Sequence, residues 1–132
     1  MTRTIRKGLS FGVVLIITLL TLFTAAPAAA STSIPGGDVS GIWTASGSPY
    51  LISGDITVPA DQTLTIEAGV VVNFEGAYDL TVNGTLLAEG TASAPILFGG
   101  GHETAGWGGT RIIEVSDRTN LTYVIVENAR AT

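Results

Sequence analysis

After position 30 the hydrophobic residues fall into short runs in which apolar and polar side chains alternate. Runs such as Leu64-Thr65-Ile66 and Leu80-Thr81-Val82 place apolar side chains on one face of a strand and polar side chains on the other. Gly, Asn, Asp and Pro separate the runs, and no stretch has the period of an amphipathic helix. The pattern predicts an all-β chain with strands at Tyr50–Ile52, Ile56–Val58, Leu64–Ile66, Val70–Phe74, Leu80–Val82, Leu86–Ala88, Ile96–Phe98, Arg111–Val115 and Tyr123–Val126.

The strand patterns repeat at a spacing of about two dozen positions. Gly54–Val58 returns as Tyr78–Val82 at this spacing, and Val70–Phe74 returns as Pro95–Phe98 at almost the same one. Tyr123–Val126 follows after a slightly longer interval. A second register competes, because Leu64-Thr65-Ile66 and Leu80-Thr81-Val82 are separated by only two thirds of that spacing, and the sequence does not decide between the two. A unit of this length with three short strands is typical of one coil of a parallel β-solenoid.

A small antiparallel sandwich is the alternative fold. Its best support is Val82-Asn83-Gly84-Thr85, since Asn-Gly accepts the positive φ angles of a tight hairpin turn. The same pair also suits a corner at which a solenoid changes sheet. The predicted strands are shorter than those usual in sandwiches, and their spacing repeats, so the sequence favours the solenoid.

The first thirty residues have the three regions of a secretory signal peptide. Arg3, Arg6 and Lys7 precede the apolar run Leu9–Thr24, and Ala28-Ala29-Ala30 gives the small-x-small pattern in which Ala28 and Ala30 are recognised by signal peptidase. An uncleaved anchor over Leu9–Ala26 is the other interpretation, since a helix of that length just spans a bilayer. The polar residues inside the run and the Pro27–Ala30 exit favour cleavage. We therefore expect no membrane contact after cleavage and a secreted or cell-surface location.

The composition of residues 31–132, the exported part, restricts the kinds of partner that the protein can bind. Residues 31–132 contain three arginines, no lysine and eleven acidic residues, for a formal charge of about −8. Nucleic acid is excluded as a partner because binding phosphates requires a basic surface. The chain has no cysteine, which excludes disulfides, thiolate metal sites and a lipid-modified N-terminal cysteine.

Eight segments that together span nearly all of Val39–Asn128 have the residues of a known protein family: Gly41–Thr44, Ser48–Tyr50, Val58–Ala60, Thr63–Val72, Val82–Leu86, Gly90-Thr91, Ala94–Ile96 and Gly106–Gly109. They resemble the N-terminal region of secreted right-handed parallel β-helix repeat proteins of the pectate-lyase-like superfamily. The resemblance implies a right-handed parallel β-helix. It implies little about activity, because the matching positions are structural, and such proteins include polysaccharide-degrading enzymes as well as adhesins and shell proteins.

The expected organisation is a signal peptide (1–30), an N-terminal entry or cap segment (31–49) and about three coils (50–132). Trp43 and Tyr50 are expected to cover the first open end of the stack. No polar cap is visible after Tyr123–Val126, so we expect the chain to be a fragment of a longer protein; capping by another copy or another chain is the alternative.

The long glycine-rich loop Gly99–Gly109 lacks the lysine or following helix that a phosphate cradle needs, and it is interpreted as an excursion between coils. His102 and Glu103 are adjacent, yet no second histidine completes a metal site. The loop therefore predicts no metal or cofactor.

The remaining candidate groups are scattered along the chain. A glycosidase needs two carboxyl groups at a set separation, and the available glutamates lie on predicted turns and solvent faces: Glu67, Glu75, Glu89, Glu114 and Glu127. A lyase resembling pectate lyases would use an arginine or lysine base beside calcium-binding aspartates; Arg111 and Arg118 are available, without an aspartate cluster. The acidic residues offer oxygen ligands that would bind calcium only weakly.

Two segments, Asn83-Gly84-Thr85 and Asn120-Leu121-Thr122, match the acceptor pattern for N-glycosylation but are interpreted as turns.

The sequence thus predicts no catalytic, cofactor or metal residue within the chain. We expect a structural or binding portion of a secreted or surface β-helix protein, adhesin-like or stalk-like, with a polysaccharide or another surface protein as partner. The alternative is the N-terminal part of a polysaccharide lyase or glycoside hydrolase whose catalytic coils lie beyond residue 132. A third hypothesis is a small antiparallel binding domain that folds by itself.

Overall fold

The computed structural model describes residues 30–100, 106–112 and 118–130. Within them the chain forms short β-strands and one 3-10 turn, Ala45–Gly47. The strands are β1 (Thr32–Ile34), β2 (Gly37–Asp38), β3 (Gly41–Trp43), β4 (Tyr50–Ile52), β5 (Ile56–Val58), β6 (Thr63–Ile66), β7 (Val71–Phe74), β8 (Asp79–Val82), β9 (Thr85–Glu89), β10 (Ile96–Gly100), β11 (Gly109–Ile112), β12 (Asn120–Thr122) and β13 (Val124–Val126).

The strands form three parallel sheets, and each sheet takes every third strand of the chain. Sheet A has the order β1-β4-β7-β10-β13, sheet B the order β2-β5-β8-β11 and sheet C the order β3-β6-β9-β12. Three consecutive strands therefore make one coil with one strand in each sheet, and successive coils stack by parallel pairing. This all-β arrangement is consistent with a parallel β-helix. The antiparallel sandwich is wrong, because every strand pair among the described residues is parallel.

The pairing register decides between the two predicted spacings. Ile56 pairs with Leu80, which confirms the spacing of two dozen positions in sheet B. Leu64 pairs with Leu86, so the shorter alignment of Leu64 with Leu80 does not occur. In sheet A, Val71 pairs with Leu97, a spacing slightly longer than predicted.

The core consists of inward-facing residues that stack in columns, each column being the same register position in successive coils. Buried residues alternate with half-buried or exposed ones along nearly every central strand. Because paired strands lie about 4.7–4.9 Å apart, each inward side chain packs on the one a coil below it. The main columns are Tyr50–Val72–Phe98 in sheet A, Ile56–Leu80 and Val58–Val82 in sheet B, and Leu64–Leu86 and Ile66–Ala88 in sheet C.

Two parts of the strand pattern were not predicted. The segment 31–49, expected as an entry segment, contributes β1, β2 and β3 to the three sheets. These strands have only two or three residues and little apolar alternation, and pairing with the second coil defines them. Asn120-Leu121-Thr122 is strand β12 and not a turn, because it pairs with β9 in sheet C.

Asn83-Gly84 is a corner between sheets B and C rather than a hairpin turn. The backbone N–H groups of Asn83 and Gly84 both donate to the carbonyl oxygen of Val58, at 2.9 and 3.2 Å. Thr85 N–H donates to the carbonyl oxygen of Gln62 in the coil below, at 2.9 Å. The corner is therefore held against the coil beneath it, and the chain leaves the corner into another sheet instead of pairing back on β8.

Trp43 and Tyr50 form an aromatic stack in the core near the first coil. Their ring centroids are 4.5 Å apart with planes 8° from parallel, and both side chains are buried. The Tyr50 hydroxyl accepts a hydrogen bond from the Thr44 N–H at 2.9 Å and donates to the Thr44 carbonyl oxygen at 3.3 Å. The hydroxyl is thus the partner of the Thr44 N–H and a second donor to the Thr44 carbonyl oxygen, which also accepts from the Gly47 N–H at 3.1 Å.

We expect Tyr50→Phe to lower the free energy of unfolding by about 1 kcal/mol, because it removes the hydroxyl partner of Thr44 and keeps the ring. Urea unfolding followed by circular dichroism measures the change. Tyr123→Phe is the matched control, since Tyr123 is exposed, and it should stay within about 0.5 kcal/mol of the parent. Equal effects of the two substitutions would mean that the Thr44 hydrogen bonds contribute nothing to stability.

Candidate binding site at the end of the coil stack

Exposed large apolar side chains cluster on β12, β13 and the residue between them: Leu121 (43% exposed), Tyr123 (59%), Ile125 (44%) and Val126 (52%). Ile42 on β3 is exposed as well. Leu121 lies in register with buried Ala88, and Val126 lies in register with buried Phe98. These two residues therefore occupy inward positions of the outermost strands, and they are exposed because no described residue packs over them. The last described strands thus carry apolar side chains at inward register positions.

A cavity of about 380 Å³ opens among these inward positions, between the three sheets. Leu86, Phe98, Leu121 and Val126 form its apolar wall, and Thr110 lies on its sheet B side. Thr110 takes the register position of buried Leu80. A hydroxyl thus replaces an apolar side chain in this column, and the cavity has a polar edge on that side.

Trp107 fills the core beneath this end. The β10 position that would continue the column of Phe74 is Gly100, and the indole of Trp107 stacks on Phe74 instead, with centroids 4.3 Å apart and planes 8° from parallel. Its Nε1–H donates to the carbonyl oxygen of Glu127 at 2.7 Å. The side chain is fully buried, so it joins the third and fourth coils and ties them to the segment after β13.

A second cavity of about 450 Å³ lies at the corner that precedes sheet B, and it is lined mainly by polar groups. Asp79, Arg111 and Arg130 provide its charged side chains. It shares Gly108, Gly109, Thr110 and Arg130 with the apolar cavity, so the two cavities adjoin along one wall. Within the described residues, neither guanidinium forms an ion pair with a carboxylate.

The stacking of the coils positions Asp79 in this corner. Its backbone N–H donates to Asp55 Oδ1 of the coil below at 2.9 Å. Gly108 of the coil above passes so close to the Asp79 carboxylate that a Cβ on Gly108 would collide with it. Gly108 N–H also donates to the Tyr78 carbonyl oxygen at 2.8 Å. Because Gly108 has no side chain, the Asp79 carboxylate can occupy the space beside it.

The candidate glutamates within the described residues all lie at exposed positions, and Glu67 and Glu89 directly follow the paired residues Ile66 and Ala88 of adjacent coils. Glu67, Glu75, Glu89 and Glu127 are exposed, and Glu67 serves the backbone, since its Oε2 accepts from the Ala45 N–H at 3.2 Å. Arg118 is exposed and lies away from both cavities. Over residues 30–100, 106–112 and 118–130, no group of three or more His, Asp or Glu side chains is placed to hold a metal ion.

The remaining predicted residues fall largely outside the described ranges. Ala28, His102, Glu103 and Glu114 lie there, as does the predicted signal peptide up to residue 29. Ala30 is exposed and immediately precedes the first coil. In the described part of the chain, no helix has the length and apolar character needed to cross a membrane.

Sequence reasoning did not single out Asp79 or Arg130. Asp79 was assigned to the repeat of Gly54–Val58, and Arg130 follows the last predicted strand. The one available sign was that Asp55 and Asp79 recur at the same position of that repeat. The approach of Asp79 to Arg111 and Arg130 depends on the stacking of coils, which no local sequence pattern encodes.

The comparisons with known proteins leave the family open. No family model matches the chain, and no solved structure matches it. A stretch of 49 residues is 49% identical to Protein bark beetle of Drosophila melanogaster. The match covers 37% of this chain and spans about 2% of the length of the fly protein. The fold therefore assigns the chain only to a broad class, that of all-β proteins built from stacked parallel sheets.

Proposed function

We propose that the chain forms the N-terminal coils of an exported right-handed parallel β-helix and serves as a structural or binding portion of a secreted or cell-surface protein. The observation that carries the proposal is the three-sheet stack, in which each sheet takes every third strand in parallel register. Such a stack buries one continuous core and presents long, regular outer faces. Solenoid proteins use such extended faces as binding surfaces.

A right-handed winding is supported by a general rule of chain geometry. Each return to the same sheet, for example from β4 to β7, is a crossover between parallel strands. Crossovers of this kind are right-handed in about 98% of cases, because the strand twist favours that hand. An experimental structure of the chain tests the winding, and a left-handed coil would contradict it.

Export is supported by the arrangement of the first thirty residues and by the position of the first coil. Ala30 and Ser31 are exposed, and β1 begins at Thr32, so the proposed cleavage site lies directly outside the folded stack. A polysaccharide or another surface protein is the proposed partner, in keeping with a location outside the cell. The regular outer faces of the stack are the proposed contact surface, since solenoid proteins bind their partners on such extended faces.

The first experiment determines the N-terminal residue and the mass of the native protein in the medium or on the surface of the producing cells. We expect the mature chain to begin at Ser31, because Ala28 and Ala30 give the recognised small-x-small pattern. Ala30→Phe should block cleavage, and Ala29→Phe is the matched control because the middle position of the pattern is tolerant. A native protein that begins at Met1 and stays in the cell would contradict the export proposal.

The mass of the native protein tests whether the chain is part of a longer β-helix, and its activity on polysaccharides tests the structural role. A mature species that extends well past Thr132 is expected for a portion of a longer β-helix, and a species that ends at Thr132 would contradict this part. Incubation with acidic and neutral polysaccharides should give binding without release of shorter or unsaturated sugars. Release of such products would overturn the structural role in favour of a polysaccharide lyase or glycoside hydrolase.

A further inference from the structure

We propose that Asn83, at the corner between β8 and β9, is a site of covalent modification by water, and that the hydrogen bonds of the corner control when the modification occurs. The modification is deamidation through a cyclic imide, and it goes beyond the structural role proposed above. The corner belongs to the third coil, and strands of the second and fourth coils pair with both β8 and β9. Further coils after residue 132 would not change these pairings.

The residue types at the corner supply both partners of the reaction. The backbone nitrogen of the residue after an asparagine can attack the side-chain carboxamide carbon, most readily when that residue is glycine, which has no side chain to obstruct the approach. Of the four asparagines in the chain, Asn83 alone precedes a glycine. The Gly84 nitrogen loses its proton and bonds to Asn83 Cγ, the Cγ–Nδ2 bond breaks, and ammonia leaves. Water then opens the imide at either carbonyl group, which gives aspartate or isoaspartate.

The side chain of Asn83 is available for this reaction. It is half-buried, so it keeps contact with solvent. Within the part of the chain that the structure describes, its carboxamide forms no hydrogen bond. The carboxamide carbon can therefore rotate toward the Gly84 nitrogen without losing a side-chain partner there.

The backbone of the corner keeps the Gly84 nitrogen unreactive. Its N–H donates to the carbonyl oxygen of Val58 at 3.2 Å, and the Asn83 N–H donates to the same oxygen at 2.9 Å. A nitrogen that donates its hydrogen to a carbonyl oxygen is not free to lose it to hydroxide. Because two donors share one acceptor, the longer bond, that of Gly84, is the weaker of the two. Attack requires this bond to open, so the rate of deamidation depends on how often the corner separates from Val58.

The isoaspartate product cannot return to the closed corner. It carries the chain through the side-chain carboxyl carbon, which adds one carbon atom to the backbone between β8 and β9. Gly84 fits closely at this point, since a Cβ there would collide with the carbonyl oxygens of Pro59 and Gln62. A longer backbone displaces Gly84 toward these atoms or breaks the hydrogen bond from Thr85 N–H to the Gln62 carbonyl oxygen. A transient opening of the corner is thereby converted into a permanent change.

The test follows deamidation of the full chain at mildly alkaline pH, in buffer and in guanidinium chloride, by peptide mapping with mass spectrometry. We expect the product at Asn83 to form at least about tenfold more slowly in the folded chain, because attack waits for local opening. Equal rates in buffer and in denaturant would overturn control by the hydrogen bonds of the corner. Faster deamidation of another asparagine in the unfolded chain would overturn the choice of Asn83.

Two valine variants separate opening of the corner from unfolding of the whole chain. Val58→Ala shortens the side chain of the residue that accepts both hydrogen bonds, and Val72→Ala is the matched control, because Val72 is equally buried but lies in sheet A. We expect Val58→Ala to speed deamidation of the folded chain at least about threefold more than Val72→Ala does. Equal acceleration by the two variants, or none, would overturn local control. Circular dichroism identifies any variant that is unfolded, and the comparison of the parent in buffer and in denaturant depends on neither variant.

Refolding tests the permanence of the change. Chains with isoaspartate at position 83 should unfold at a lower concentration of guanidinium chloride than Asn83→Asp, which has the same charge and a backbone of normal length. Equal midpoints would overturn the conclusion that the modified corner cannot close. None of these outcomes bears on export or on the length of the mature protein, so the two proposals fail independently.

Discussion

Replacing Trp107 with alanine should lower the free energy of unfolding by about 3–5 kcal/mol, the range found when a large buried aromatic side chain is truncated. The indole is fully buried and stacks on Phe74 at 4.3 Å. No other β10 side chain takes this place, because Gly100 holds the register position above Phe74. Truncation therefore leaves a cavity between the third and fourth coils, and it also removes the Nε1–H bond to the Glu127 carbonyl oxygen.

Urea unfolding by circular dichroism measures the loss, and Trp107→Phe separates its two parts. Phenylalanine keeps a ring against Phe74 and loses the hydrogen bond, so we expect a smaller loss, of about 1–2 kcal/mol. A Trp107→Ala variant within about 1 kcal/mol of the parent would contradict the burial of the indole in the core.

Gly84→Ala should lower the free energy of unfolding by about 2–3 kcal/mol, because the corner between β8 and β9 has no room for a methyl group. A Cβ at Gly84 would collide with the carbonyl oxygens of Pro59 and Gln62 in the coil below. Both obstacles are backbone atoms, so relief requires the two coils to move apart. That movement would also stretch the hydrogen bond from Thr85 N–H to the Gln62 carbonyl oxygen.

Gly99→Ala is the matched control for this substitution. Gly99 is also buried, yet a Cβ there would meet only side-chain carbons, at 3.8 and 3.9 Å, which is ordinary contact. Alanine in this strand should leave stability unchanged or raise it by up to about 1 kcal/mol, since it restricts the unfolded chain. Equal effects at the two positions would contradict the stacking of the Asn83-Gly84 corner on the coil below and would favour a free turn.

The strands themselves could be predicted because their pattern is local. Tyr50–Ile52 and Ile56–Val58 have the bounds predicted, and the alignment of Ile56 with Leu80 is confirmed. The first coil was not predicted as strands, because β2 has only two residues and acquires its conformation by pairing with β5. The candidate site was predicted only in part: Arg111 was considered, and Asp79 and Arg130 were not.

The sequence by itself determined that this chain is all-β, with short strands that bury alternate residues, since that alternation follows from the two-residue period of the strand. Only the tertiary structure decided which strands pair. The separation of paired residues along the chain is shortest for Thr32 with Tyr50 and nearly twice as long for Leu87 with Asn120. Because the connections between strands differ in length, no single spacing along the sequence describes the repeat. The stacking of coils then places Trp107 on Phe74 and brings Asp79, Arg111 and Arg130 to one corner, because pairing across coils, and not proximity in sequence, sets these distances.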